Sequence, residues 1–393
     1  SMQDADLIMS KLRHIEWGLL KHASEPPAVT NLVETDRIDV VGSSRNGKTI
    51  AAATSEGSIL LWQTIDWDQV DRSKPLPHPK RIEFGSRISA IAVSHDGKYL
   101  ATSATDYRTP RGDQNVRYYH VSIWQIGENG LQNPVELDAI HRSEILSIAF
   151  SHDDKCIVTS AGDRNAIVWS VSAAEPLFTM KDHSDPIVWC ARFSPKAQDV
   201  AEDCDEGHAR VCNDVVTACN DGRVRVWQAP CIPADAEGVP EAEEIHDFRG
   251  HEGPVYAAAF SPDGEFVLSG GYDQRLLRWD IGPGTKKQTD EQLVKSRIKG
   301  GQAEVAQWEL VGKIESQHAA SIRSISVAQQ GILTGSNDNT IRVWIPSTDR
   351  KGEGVSWGEG IELDKLLRGH GRSVRGCLFS ESGEKVLSGA SDG

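Results

Sequence analysis

The sequence predicts an all-β fold, a β-propeller of seven blades, and three observations predict it. Tryptophan is over-used, with 11 Trp against 6 Tyr and 8 Phe in 393 residues. Six of the Trp close short apolar runs: ILLW at 59–62, VSIW at 121–124, AIVW at 166–169, VRVW at 224–227, LLRW at 276–279 and IRVW at 341–344. Upstream lie segments in which apolar and β-branched residues alternate around a turn, such as ISAIAVSHDGKYLATSA (88–104), ILSIAFSHDDKCIVTSA (145–161), VYAAAFSPDGEFVLSGG (255–271) and VRGCLFSESGEKVLSGA (374–390). Alternation broken by DG, DD or SG reads as strand, turn, strand. A recurrence of roughly 40–45 residues is the period at which such strands build a propeller blade. Counting the copies gives seven blades, the last without its Trp strand.

The first 22 residues stand apart. Ile8, Leu12, Ile15 and Leu19 form one amphipathic stripe, with Asp4 or Asp6 as N-cap and Pro26-Pro27 beyond its end, which predicts a short N-terminal helix. In the competing reading, RHIEWGLL (13–20) supplies the missing third strand of blade seven. Residues 1–27 are accordingly assigned to an N-terminal extension and 28–393 to the propeller, with its last blade incomplete at the C-terminus. The stretch AVTNLVE (28–34) alternates as an outer strand of blade seven would, and pairing the chain ends in that way hides an open sheet edge.

Blades three to six repeat a set of four side chains: His141, Thr159, Asp163, Trp169; His183, Thr217, Asp221, Trp227; His251, Ser269, Asp273, Trp279; and His318, Thr334, Asp338, Trp344. In every set Ser/Thr and Asp are four apart, and Asp and Trp six apart. Blade seven keeps His370, Ser388 and Asp392 but has no Trp. Blade two keeps Thr102, Asp106 and Trp124 with Phe84 at the His position; blade one has Ala52, Glu56 and Trp62 with Glu34. Blades one and two are therefore expected to rely on packing alone.

This register resembles that of WD40 repeats over about residues 36–393. The resemblance implies a buried hydrogen-bond chain from Trp N–H through the hydroxyl to His and Asp, and a rigid platform for protein docking. The run EWGLLKH (16–22) is also similar to the segment that joins helical hairpins to WD40 arrays in planctomycete-type bacterial proteins, many of which carry a Ser/Thr kinase domain. That likeness implies one part of a larger bacterial multidomain signalling protein.

Insertions carry the individuality. Blade two inserts YRTPRGDQNVRY (107–118), where Arg108, Arg111 and Arg117 could read an acidic or phosphorylated partner, the alternative being a solvated hairpin. Blade four inserts KAQDVAEDCDEGHARVCND (196–214), in which Cys204, His208 and Cys212 lie four apart, looser than the paired spacing of zinc sites; a polar loop with no metal is expected, the alternatives being a zinc site or a disulfide. A capping box at Thr289 and Gln292 suggests a helix over 290–298 in the long insertion 282–307. Seven Cys, an odd number with none before Cys156, read as no disulfide framework, which fits a reducing, cytoplasmic setting.

Composition and motifs exclude other functions. A formal net charge of −15 repels phosphate backbone and anionic lipid, so neither nucleic acid nor a membrane is an expected partner. No apolar run spans a bilayer, and charges interrupt the N-terminal stretch before a signal-peptide core can form. No P-loop, HExxH, GxSxG or helix-opening GxGxxG occurs, and five of the 13 His are assigned to the repeat network, so no enzyme and no cofactor are expected. What remains is a non-catalytic scaffold that docks another protein or peptide, the alternative being an enzyme or small-ligand binder in the central channel. By register, the second residue of each first strand faces the channel mouth, which singles out Trp189, Tyr256, Arg323 and Arg375, with Leu146 and Ser89. Trp, Tyr and Arg are the residue types that anchor interfaces.

Overall fold

In the computed structural model, residues 14–19, 28–33, 37–63, 78–106, 118–137, 141–181, 183–195, 208–210, 212–233, 238–281, 310–314, 318–346, 361–380 and 385–392 are described. Six blades are each built from one stretch of chain, within 38–83, 91–137, 145–180, 188–249, 255–314 and 322–367. Each is a four-stranded antiparallel sheet whose strands follow chain order from channel to periphery. Blade four adds a small hairpin, His208–Arg210 paired with Cys231–Pro233.

A further four-stranded sheet is composite. Its order is Ala28–Val33, His14–Leu19, Lys385–Ala390, Val374–Phe379, so both chain ends meet in it. The expected seven-bladed array of repeats with an N-terminal helix is thus corrected. Six blades, not seven, come from contiguous repeats, and no helix occurs among the described residues. The helix stripe loses to a ladder. Without His14–Leu19 the N–H and C=O groups along Lys385–Ala390 would stand unpaired at an open edge, and Ile15, Trp17 and Leu19 carry the period of two that a strand needs.

Burial explains why the sequence reads as it does. Second strands such as Cys156–Ala161, Phe266–Gly271 and Gly331–Ser336 are buried at every residue, and therefore carry short runs of small and apolar side chains. The peripheral strand Ile361–Leu367 alternates between half-buried and exposed. Glycines let neighbouring blades approach: a Cβ on Gly270 would lie 2.6 Å from Ile322, and one on Gly389 2.6 Å from Val41. The second contact closes the ring, since Leu387 of the composite sheet packs into the blade-one core with Ile38, Val41, Leu60 and Trp62. No helix among the described residues is long and apolar enough to cross a membrane.

Candidate functional site: the mouth of the central channel

The repeated side chains are wired as hydrogen-bonded chains in blades three, five and six. Trp169, Trp279 and Trp344 donate Nε1–H to Thr159, Ser269 and Thr334 at 2.9, 2.7 and 2.9 Å. Those hydroxyls meet Nε2 of His141, His251 and His318 at 2.8, 2.7 and 2.8 Å. Nδ1 of each His then reaches Asp163, Asp273 and Asp338 at 3.0, 2.9 and 2.7 Å. Burial alone would raise the pKa of these carboxyls, yet bonds from the His and from backbone N–H groups hold all three below the ordinary Asp range. In each of these blades both ring nitrogens of the His are thereby engaged within the blade.

Two expectations about this network need correction, those for blades four and two. In blade four His183 takes Thr217 at 3.0 Å and Trp227 donates to Thr217 at 2.9 Å, but His183 Nδ1 donates to the Arg164 carbonyl at 2.8 Å rather than to Asp221. Asp221 is held by Arg225 at 2.7 Å, a side chain buried between it and Glu244 at 3.2 Å. The guanidinium, always charged and able to bond the carboxylate through two N–H groups, outbids the imidazole for it. Blade two, expected to rely on packing alone, keeps half a chain: Trp124 donates to Thr102 at 3.0 Å, and Phe84 fills the His position edge-on to the indole, centroids 5.2 Å apart. In the composite sheet His370 Nε2 meets Ser388 at 2.9 Å, and Asp392 lies 3.3 Å from Nδ1. There the register pairs Gly18 with Val386, the position that Trp169 and Trp279 occupy opposite Ile157 and Val267.

The cysteines also depart from expectation. Cys156, at the start of a blade-three strand, is disulfide-bonded to Cys212 of the blade-four insertion, Cα atoms 6.6 Å apart, so the expectation that the cysteines form no disulfide is overturned. The residues lie 56 apart in sequence, and only packing of neighbouring blades brings them together. The Cys212 sulfur is thereby committed, while Cys204 lies outside the described residues. Cys219 and Cys377 are free and buried, and burial pushes their thiols up to about 11 and about 12.

The first strands of all seven sheets enclose a channel of about 1060 Å³. At one mouth the structure brings Trp189, Tyr256, Arg323 and Arg375 together with Ser89 and Leu146. Trp189 meets Tyr256 edge-on at 5.2 Å and is anchored by Nε1–H donation to Asn220 at 3.2 Å. The Arg323 guanidinium lies 4.0 Å from the Tyr256 ring centroid and donates to Asn337 at 3.2 Å, while Arg375 donates to Ser391 at 2.9 Å. Four residues unmarked in the sequence complete the mouth. Arg37 pairs with Asp39 at 2.9 Å, and Arg87 bridges Asp39 and Glu144 at 3.7 and 3.6 Å. Asp39 was legible in principle, as the second residue of the blade-one first strand. Desolvation, then the charges of Arg323, Arg37 and Arg87, push Arg375 below its ordinary pKa against the pull of Asp39. No carboxylate lies within ion-pair distance of Arg323 or Arg375 among the described residues. Arg108, Arg111, Arg117 and the 290–298 segment lie outside the described residues.

Comparison with known proteins agrees with this geometry. The family model "WD domain, G-beta repeat" matches residues 137–170, 174–228, 242–280, 308–344 and 362–393, half of the chain. Among similar proteins, Protein FIZZY-RELATED 1 of Arabidopsis thaliana is 22% identical over 64% of this chain and 52% of its own length. Protein groucho of Drosophila melanogaster is 22% identical over 79% of this chain and 38% of its own. The guanine nucleotide-binding protein subunit beta of Solanum tuberosum is 22% identical over 64% of this chain and 55% of its own. The chain thus spans about half the length, or less, of these relatives.

Proposed function

The chain belongs to the WD40-repeat family, and from that premise we propose that it is a non-catalytic docking platform whose channel mouth at Trp189, Tyr256, Arg323 and Arg375 binds an acidic or phosphorylated segment of a partner protein. One observation carries the reading: in a chain of net charge −15, two guanidiniums face the same mouth beside half-buried aromatic rings, with no carboxylate within ion-pair distance of either among the described residues. The blades do not need these side chains for closure, whereas a carboxylate or phosphate would take their N–H groups bidentately while the rings supply contact area. That the Solanum tuberosum relative is a subunit, of a guanine nucleotide-binding protein, supports a role inside an assembly. Membership of a larger bacterial signalling protein, with the blade-two insertion adding Arg108, Arg111 and Arg117 to the contact, belongs to the same proposal. A cytoplasmic placement is the part most exposed to test, because reducing compartments keep thiols free. Protection of Cys156 and Cys212 from alkylation in cells would remove it.

The deciding experiment compares wild type with an Arg323→Ala, Arg375→Ala double variant for binding to a tetra-glutamate peptide and its phosphoserine counterpart at two salt concentrations. Binding that weakens with salt and falls at least about tenfold in the variant, with melting unchanged, is the expected result. Equal affinity for both proteins overturns the assignment of this mouth.

A further inference from the structure

The other mouth of the channel carries a second charged arc, built from a repeated turn. In four sheets the turn between first and second strands is made alike, with a Ser hydroxyl accepting the backbone N–H five residues on: Ser44 from Thr49, Ser94 from Tyr99, Ser151 from Cys156 and Ser261 from Phe266, at 3.0, 2.8, 2.9 and 3.0 Å. This fixes the residue that follows the serine, and in each case it lines the channel. Blades four and five have proline there, Pro195 and Pro262. Blades one, two and three have Arg45, His95 and His152 in its place. Three consecutive blades therefore set three cationic or protonatable side chains side by side, where a proline serves the turn equally well.

Their contacts are specific. Arg45 Nη2 lies against both ring nitrogens of His152, 2.8 Å from Nδ1. The rings of His95 and His152 are 5.3 Å apart. Asp154 accepts from His95 Nδ1 and from the backbone N–H of His95, both at 2.8 Å, which leaves His95 Nε2 for a ligand. We propose that this mouth is a proton-linked binding site for a small tetrahedral oxyanion, held by Arg45, His95 and His152. An anion there replaces a neutral imidazole as acceptor for Arg45 with a charged one, and charge-assisted bonds are roughly twice as strong. The charges around His152 give the linkage its sign. Desolvation, Arg45 and His95 all disfavour its protonated form, while Asp154 and Asp153 favour it less strongly, so its pKa lies below the ordinary His value. Asp153 is engaged by Ser151 at 2.7 Å and by Lys155 at 3.4 Å, and Asp96 of the blade-two turn by Lys98 at 2.9 Å. Pro195 and Phe193 of blade four line the neighbouring wall without charge. An oxyanion cancels the repulsion from Arg45 and His95, so its binding takes up a proton at His152 and tightens as pH falls.

The test uses sulfate, which stays doubly charged across the range, titrated into the full chain by calorimetry at about pH 5.5 and 7.5, ionic strength being held with chloride. Affinity should be about tenfold or more higher at the lower pH, His152→Gln should abolish that difference, and Arg45→Gln should weaken binding at both. The Arg323→Ala, Arg375→Ala variant should bind sulfate as wild type does, which separates this site from the docking mouth, so either reading can fail alone. No saturable binding at about pH 5.5, equal affinity at both, a pH dependence that survives His152→Gln, or loss of binding in the double variant overturns the proposal. A phosphoserine peptide titrated in parallel distinguishes a tethered phosphoryl group, which binds more tightly than sulfate, from a free ion, for which it binds no better.

Discussion

Blades four and five carry the same four residue types at the same offsets and use them differently. In blade five the chain runs unbroken from Trp279 through Ser269 and His251 to Asp273. In blade four it stops at His183, which turns to a neighbouring blade's carbonyl, while Asp221 neutralises the buried Arg225. Residue spacing places side chains close enough to bond. Which bond forms is decided by the strongest competitor within reach, and here that is a guanidinium buried at 2% exposure.

The sharpest way to break this comparison is to remove the two aspartates separately. Asp221→Ala leaves the buried Arg225 charge with Glu244 alone, the weaker and more exposed of its two carboxylate partners, and should cost up to ~3–5 kcal/mol. Asp273→Ala leaves His251 Nδ1 without its partner and should cost ~1–3 kcal/mol. Denaturant unfolding of the two variants checks the ranking, and equal losses would mean that the different wiring has no energetic consequence. The hydroxyls come next. Ser269→Ala orphans both Trp279 N–H and His251 Nε2, whereas Ser388→Ala in the composite sheet orphans only His370, because Gly18 occupies the Trp register. The first loss should be about twice the second in the same measurement.

Acid should act on blade six through His318, whose pKa lies below the ordinary His value because desolvation outweighs the bond to Asp338. Between that depressed pKa and the unfolded value near 6.5 the unfolded chain binds more protons, so stability rises with pH across that window and falls as the solution is acidified through it. Asp163 and Asp273, also below their ordinary value, add stability that is present above about pH 4 and is lost as pH falls further. Melting temperatures from about pH 7 to 5 should therefore decline in wild type, and decline less in His318→Gln. A pH profile unchanged by that substitution would place the linkage elsewhere. It is the smallest of the expected effects, since one histidine among many titrating groups carries it.

Much of the fold was legible because its signals are local. The Trp-closed strands, the Ser/Thr, Asp and Trp offsets and the turn between first and second strands each lie within about twenty residues, where pattern reflects a single blade. The same register placed Trp189, Tyr256, Arg323 and Arg375 at one channel mouth. Of the partners that complete that mouth, Asp39 holds the same register in blade one, while Arg37, Arg87 and Glu144 lie two residues before that register in blades one to three; which of them pair is set only when the blades come side by side.

The sequence by itself determined the six blades built from contiguous repeats and the hydroxyl and histidine positions within them, because strand alternation and fixed offsets are properties of short contiguous segments. Only the tertiary structure decided that His14–Leu19 is a strand, that Asp221 serves Arg225, that Cys156 meets Cys212, and that Arg45, His95 and His152 share an arc. Each of these is a choice among partners far apart in the chain. Closing the ring brings them within reach, and the choice then follows from which unpaired backbone edge, buried charge or thiol had the most to lose by staying alone.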